Sequence, residues 1–167
     1  MKIAVEQYWH NQGISHWRLR PHSGLKHPLY YYFELVSQPA PEAELLLLTP
    51  VLNAQEIKLL SAIRFSLPLQ ASQILHATIG LRRENTLQTL ETIRDRIASM
   101  ALPKIICFGW LPTKIVLDND HFFEKNRGQQ SAYHGVPVLI VDELKRIAAE
   151  PVVKAWVWRQ LIKFLSC

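Results

Sequence analysis

Apolar and polar positions along this chain fall into short blocks with two different periods. Residues 29–36 are rich in aromatic and β-branched side chains and predict a strand. Residues 37–44 contain Pro39 and Pro41 and read as a loop. Leu45 to Leu48 is an unbroken apolar run ending at Thr49-Pro50, the pattern of a strand buried on both faces. Ile57, Leu60 and Ile63 then recur at close to the helical period, with Asn53 as a cap and Pro68 as a stop, so a helix is expected over residues 54–65. Residues 73–79 predict a second core strand closed by Gly80. Leu87, Leu90, Ile93 and Ile97 predict a helix capped by Asn85 or Thr86 and ended before Pro103.

Lys104–Phe108 is a third apolar strand, stopped by Gly109. Residues 111–130 vary in character, with turn material at Asp118-Asn119-Asp120 and Asn126-Arg127-Gly128 and a short strand over residues 114–117. The last block holds Val136-Pro137, a short helix over residues 141–149 and a final helix opened by Glu150-Pro151 and running to residue 165. Short apolar strands alternating with amphipathic helices predict an α/β fold: a single three-layer α/β/α domain with a short, largely parallel sheet.

The opening segment does not fit either period. Between Gln7 and Phe33 there is no Asp or Glu, but there are Trp9, Trp17, Arg18, Arg20, Lys26, His10, His16, His22 and His27. Gly13 and Pro21 argue against one long helix. Disordered tails are normally poor in aromatic residues, so Trp9 and Trp17 are expected to bury against this domain or a partner. The chain therefore divides into a flexible N-terminal arm, residues 1–28, and an α/β domain, residues 29–167.

Length and charge narrow the picture. The 167 residues suit one domain with a real core. The net charge of +5 permits contact with nucleic acid or an acidic partner without requiring either. Five tryptophans lean toward protein interfaces. Cys107 lies in an apolar run and Cys167 is far from it, so neither a disulfide framework nor a metal spacing is present, and a reducing cytoplasm is expected. Glu6 and His10 interrupt any signal-peptide core, and no apolar run has the length of a membrane span.

Candidate chemistry is sparse. There is no GxGxxG, P-loop or Gly-x-Ser-x-Gly motif. The spacings His10/His16 and His22/His27 lack carboxylate partners, and no metal site or cofactor is expected there. Asp118, Asp120 and His121 read as a turn, and Asp142-Glu143 as the charged start of a helix. Arg82 and Arg83 after a strand, and Arg18 and Arg20 beside Trp17, are weak candidates for phosphate or single-stranded DNA; a solvated basic face is the better explanation of them.

Two separated segments resemble the psi subunit family of the bacterial DNA polymerase III holoenzyme. Gln12-Gly13-Ile14-Ser15-His16-Trp17-Arg18-Leu19-Arg20 is similar to that family's Gly-Ile-Thr/Ser-x-Trp-x-Leu-Arg element. Val136-Pro137, Leu144, Glu150-Pro151, Lys154 and Trp158-Arg159-Gln160-Leu161 resemble its Pro-x-Leu…Leu…Pro…Lys/Arg…Leu-Trp-x-x-Leu ending, with extra residues between the two prolines. The resemblance implies an α/β/α domain with a short N-terminal arm and a non-catalytic connector function in the clamp-loader assembly. It implies that the arm binds the collar of the tau/gamma subunits, and that the domain binds the chi subunit, which contacts single-stranded DNA-binding protein. Gly13, Ile14, Trp17 and Leu19 would be the collar-binding residues, with Trp9 as a further anchor. No membrane contact and no cofactor is implied.

The ending also resembles that of some uracil-DNA glycosylases, where a His-Pro precedes Leu-Leu…Pro…Trp. Here Val136 precedes Pro137, the nearest imidazole is His134, and Leu48-Thr49-Pro50 is not followed by a Gly-Glu-x-Pro-Gly-like loop. This likeness implies a shared fold, and as an alternative function a glycosylase-like enzyme acting on DNA. The Trp156/Trp158 helix is a candidate surface for chi.

Overall fold

The computed structural model describes residues 30–38, 40–82, 88–117 and 127–167. They build one six-stranded sheet flanked by five α-helices. The strands are β1 (Tyr30–Leu35), β2 (Leu45–Thr49), β3 (Ile74–Arg82), β4 (Lys104–Phe108), β5 (Gln130–Tyr133) and β6 (Val136–Val141). The helices are α1 (Ala54–Ser66), α2 (Leu90–Ser99), α3 (Trp110–Leu117), α4 (Leu144–Ala149) and α5 (Pro151–Ser166). Strand order is β1-β3-β2-β4-β6-β5. The four central strands are parallel; β1 and β5 are antiparallel at the two edges.

Burial follows from this arrangement. All of Leu45 to Leu48 is buried because alternate side chains enter two separate cores. Leu45 and Leu47 pack with Leu60 and Ile63 of α1, Leu144 and Ile147 of α4 and Val157, Leu161 and Phe164 of α5. Leu46 and Leu48 pack with Ile93 and Ile97 of α2 and Ile115 and Val116 of α3. The helices therefore lie on both faces, giving the expected α/β/α layering. Cys107 of β4 is wholly buried in the second core, and burial pushes its thiol up; Cys167 is exposed.

Several elements differ from expectation. Residues 114–117 are the end of helix α3, not a strand. Pro112 falls in the first turn of that helix, where its missing N–H costs no bond, and Pro112, Ile115 and Val116 share the buried side. Residues 136–141 are strand β6, so the following helix begins at Leu144 instead of residue 141. Pro137 is tolerated there because pairing with β4 starts only at Val138. Strand β3 continues past Gly80 to Arg82; Gly80 marks the close approach of the cross-strand Tyr32 ring. Helix α2 is capped by Thr89 rather than Asn85 or Thr86, which lie outside the described residues with Leu87. Among the described residues no helix is long and apolar enough to cross a membrane.

Candidate functional site

Strand β2 connects through α1 to β3 on one side, and β3 connects through α2 back to β4 on the other side. Between the carboxyl ends of β2 and β4 the winding direction reverses, the place where open α/β sheets bind ligands. Thr49, Gly109 and Asp142 lie where β2, β4 and β6 end.

The polar groups here hold the fold together. Thr49 Oγ1 and His76 Nε2 share a buried 2.9 Å hydrogen bond between β2 and β3. Burial first, and the nearby Arg64 second, lower the His76 pKa from 6.5 to about 4, so the imidazole is neutral at pH 7. The His76 N–H donates to Ser37 Oγ at 2.7 Å, and its carbonyl accepts from Val36 N at 2.8 Å. The chain turns from β4 into α3 at Gly109 alone, with φ +88°. That left-handed backbone suits glycine, and Glu143 lies where a Cβ would point. The Gly109 carbonyl accepts from Thr113 Oγ1 at 2.8 Å. Buried Asp142 accepts from Arg127 at 2.9 Å and Arg146 at 3.0 Å. Its carboxylate thereby ties the residue 127–128 turn to the start of α4. Asp142-Glu143 does open a helix, but Asp142 works as an ion-pair hub as well as near a helix end. Among the described residues no group of three or more His, Cys, Asp or Glu could hold a metal ion.

The apolar side chains at this edge are less expected. Leu81 near the end of β3, Val51 just past β2 and Trp110 just past β4 are 49%, 60% and 40% exposed. Three neighbouring strands thus each present a large exposed apolar group at the same edge. Single exposed hydrophobics need no explanation; three at the ends of neighbouring strands make this edge a candidate contact surface. Lys114 lies over the Trp110 ring, 5.1 Å from its centroid. Strand β3 overhangs the row: Thr49 pairs with Thr78, and β3 runs on to Arg82, paired with Tyr30 of β1. Because β1 is antiparallel to β3, Tyr30 sits at this same edge. Residues 1–29 therefore join the sheet three strands, or about 14 Å, from β4.

Gly13, Ile14, Trp17, Leu19 and Trp9 lie outside the described residues, as do Arg18, Arg20, Arg83, Asp118, Asp120 and His121. Val51, Leu81 and Trp110 carry no motif; their one sequence signal is a large apolar residue placed at or just after the end of a predicted strand. His134, the imidazole of the glycosylase likeness, is at the tip of the β5–β6 hairpin. His134 and Gly135 have φ +48° and +82°, the signature of a tight two-residue turn. His134 is exposed, stacks edge-on against Tyr133 at 4.5 Å, and lies at the amino end of β6, opposite the edge just described. Trp156 and Trp158 are both half-buried against the α1/α4/α5 core, flanking buried Val157; the Trp156 ring lies over Gly128. No protein-family model matches this chain, and no curated protein matches it.

Proposed function

We propose that the chain is a non-catalytic accessory subunit of the DNA polymerase III holoenzyme, acting in the cytoplasm as a connector within the clamp loader. In this reading residues 1–28 bind the tau/gamma collar, the folded domain binds the chi subunit, and chi links the assembly to single-stranded DNA-binding protein. The resemblance at both ends of the chain motivates it. The observation that carries it is the row Leu81, Val51 and Trp110 at the edge where residues 1–29 join the sheet. In this reading a partner that engages the arm also meets the exposed apolar groups at that edge. Trp17 supplies an anchor, and Trp110 a second aromatic group on the folded side.

The test uses the purified tau/gamma collar and chi subunit against the full chain, a chain lacking residues 1–28, and the variants Trp17→Ala and Trp110→Ala. Loss of a buried tryptophan anchor costs about 2 kcal/mol or more, roughly a thirtyfold weaker complex. The expected result is that Trp17→Ala and the deletion lose collar binding and keep chi binding, with a smaller loss for Trp110→Ala. Equal collar affinity for Trp17→Ala and the natural chain would overturn the arm assignment. Uracil excision from single- or double-stranded DNA that disappears in His134→Ala would replace this reading with the glycosylase one.

A further inference from the structure

Helix α5 carries apolar residues on its exposed side as well as its buried one. Val157, Leu161 and Phe164 enter the core. Val152, Ala155, Arg159, Ile162 and Ser166 are all exposed, Val152 to 81%. Their spacing is three, four, three, four, the repeat of a helix–helix seam. Ala155 and Ser166 are small enough for a second backbone to approach closely. Val152 and Ile162 thus stand on the outward face of α5 with Ala155, and Arg159 lies between them.

The charges on this helix have one sign. Pro151–Ser166 contains Lys154, Arg159 and Lys163 and no acidic residue. Most other described basic side chains are occupied. Arg64 and Arg94 donate to backbone carbonyls, Arg96 lies over Phe33, Lys104 donates to the last carbonyls of α5, Lys114 covers Trp110, and Arg127 and Arg146 hold Asp142. The Lys154, Arg159 and Lys163 side chains make no hydrogen bond, ion pair or ring contact among the described residues, as is true of exposed Lys58 and Lys145. Arg159 stands in the middle of the seam and Lys163 beside it.

We infer that the exposed seam of α5 docks an acidic amphipathic helix of a protein partner. Apolar residues of that helix would lie on Val152, Ala155 and Ile162, and its Asp or Glu residues would pair with Arg159 and Lys163. The three apolar positions Val152, Ala155 and Ile162 favour a helix over a nucleic-acid strand, whose phosphates would leave Val152 and Ile162 unused. The inference rests on the proposed reading, in which the folded domain holds a partner of its own, but the site is remote in sequence from the arm.

The experiment measures binding of three fluorescent probes to the full chain: a helical peptide with leucine on its seam and glutamate on its flanks, the same peptide with lysine flanks, and an oligothymidylate. The glutamate-flanked peptide is expected to bind saturably and best. The double variant Arg159→Glu/Lys163→Glu should weaken it at least about tenfold and improve binding of the lysine-flanked peptide. Ile162→Asp should weaken both peptides while the melting temperature stays unchanged. Deleting residues 1–28 should leave the affinity as it was, so failure here is distinguishable from failure of the arm assignment. Equal binding of the two peptides, indifference to the charge reversal, or tighter binding of the oligothymidylate at α5 would overturn the inference.

Discussion

Folding moves the His76 side chain from water to a buried site beside Thr49, and its proton affinity falls accordingly. The unfolded chain, with an ordinary imidazole near 6.5, takes up a proton first as the pH drops. Stability is therefore undiminished above about 6.5, declines as the pH falls toward 4, and levels off below. At about 1.4 kcal/mol per pKa unit the loss reaches at most about 3 kcal/mol. His76→Gln should flatten the pH dependence of the melting temperature across that window. An unchanged slope would assign the acid sensitivity to another group. Nothing in the sequence around His76 signals this environment, because the bond to Thr49 joins two strands. Asn53 is the opposite case. Its cap was legible because the partners are local, whereas Ile57, read as core, is 52% exposed. Two steps of three residues carry it about 120° away from Ile63 around the helix.

At the scale of elements, Asn53 and Glu56 form a reciprocal capping box at the start of α1. Asn53 Oδ1 accepts from Gln55 N and Glu56 N, and Glu56 accepts from Asn53 N at 2.8 Å. Asn53→Ala should cost about 1 kcal/mol, read as a shift of the urea midpoint with unchanged slope. A shift below a few tenths of that would mean that packing of Leu60 and Ile63 alone sets the helix start. The helices with clear stops, α1 before Pro68 and α5 opened by Pro151, were legible to within a residue or two. The Lys-Ile-Val-Leu run of α3 was not, since β-branched residues favour strands until tertiary packing overrides them. Strand β5 escaped because only alternate positions in Gln130–Tyr133 are half-buried, so it carries no apolar run.

For the whole molecule, the alternation of strands and helices predicted a largely parallel, doubly covered sheet. The order β1-β3-β2-β4-β6-β5 was out of reach, because each pairing joins residues far apart and the two antiparallel edges have no local mark. That order is what places β1 beside β3 and the start of the described chain at the apolar edge. Among the described residues, both cores are built from positions between Tyr31 and Leu165. Removing residues 1–28 should therefore leave the melting temperature within about 2 °C, a change worth less than roughly 1 kcal/mol for a domain of this size. A larger drop would mean that the segment packs on the domain as part of its stable fold.

The buried thiol gives the sheet its own stopwatch. Cys107 sits between β2 and β6 with no exposed surface, and burial keeps it in the unreactive thiol form, whereas Cys167 meets solvent. A disulfide reagent should label Cys167 at once and Cys107 only when the central strands separate. With reclosing fast relative to labelling, the second rate reads the opening free energy of the sheet in native buffer, with no denaturant added. If both thiols react together, the middle of the sheet opens far more readily than its packing implies.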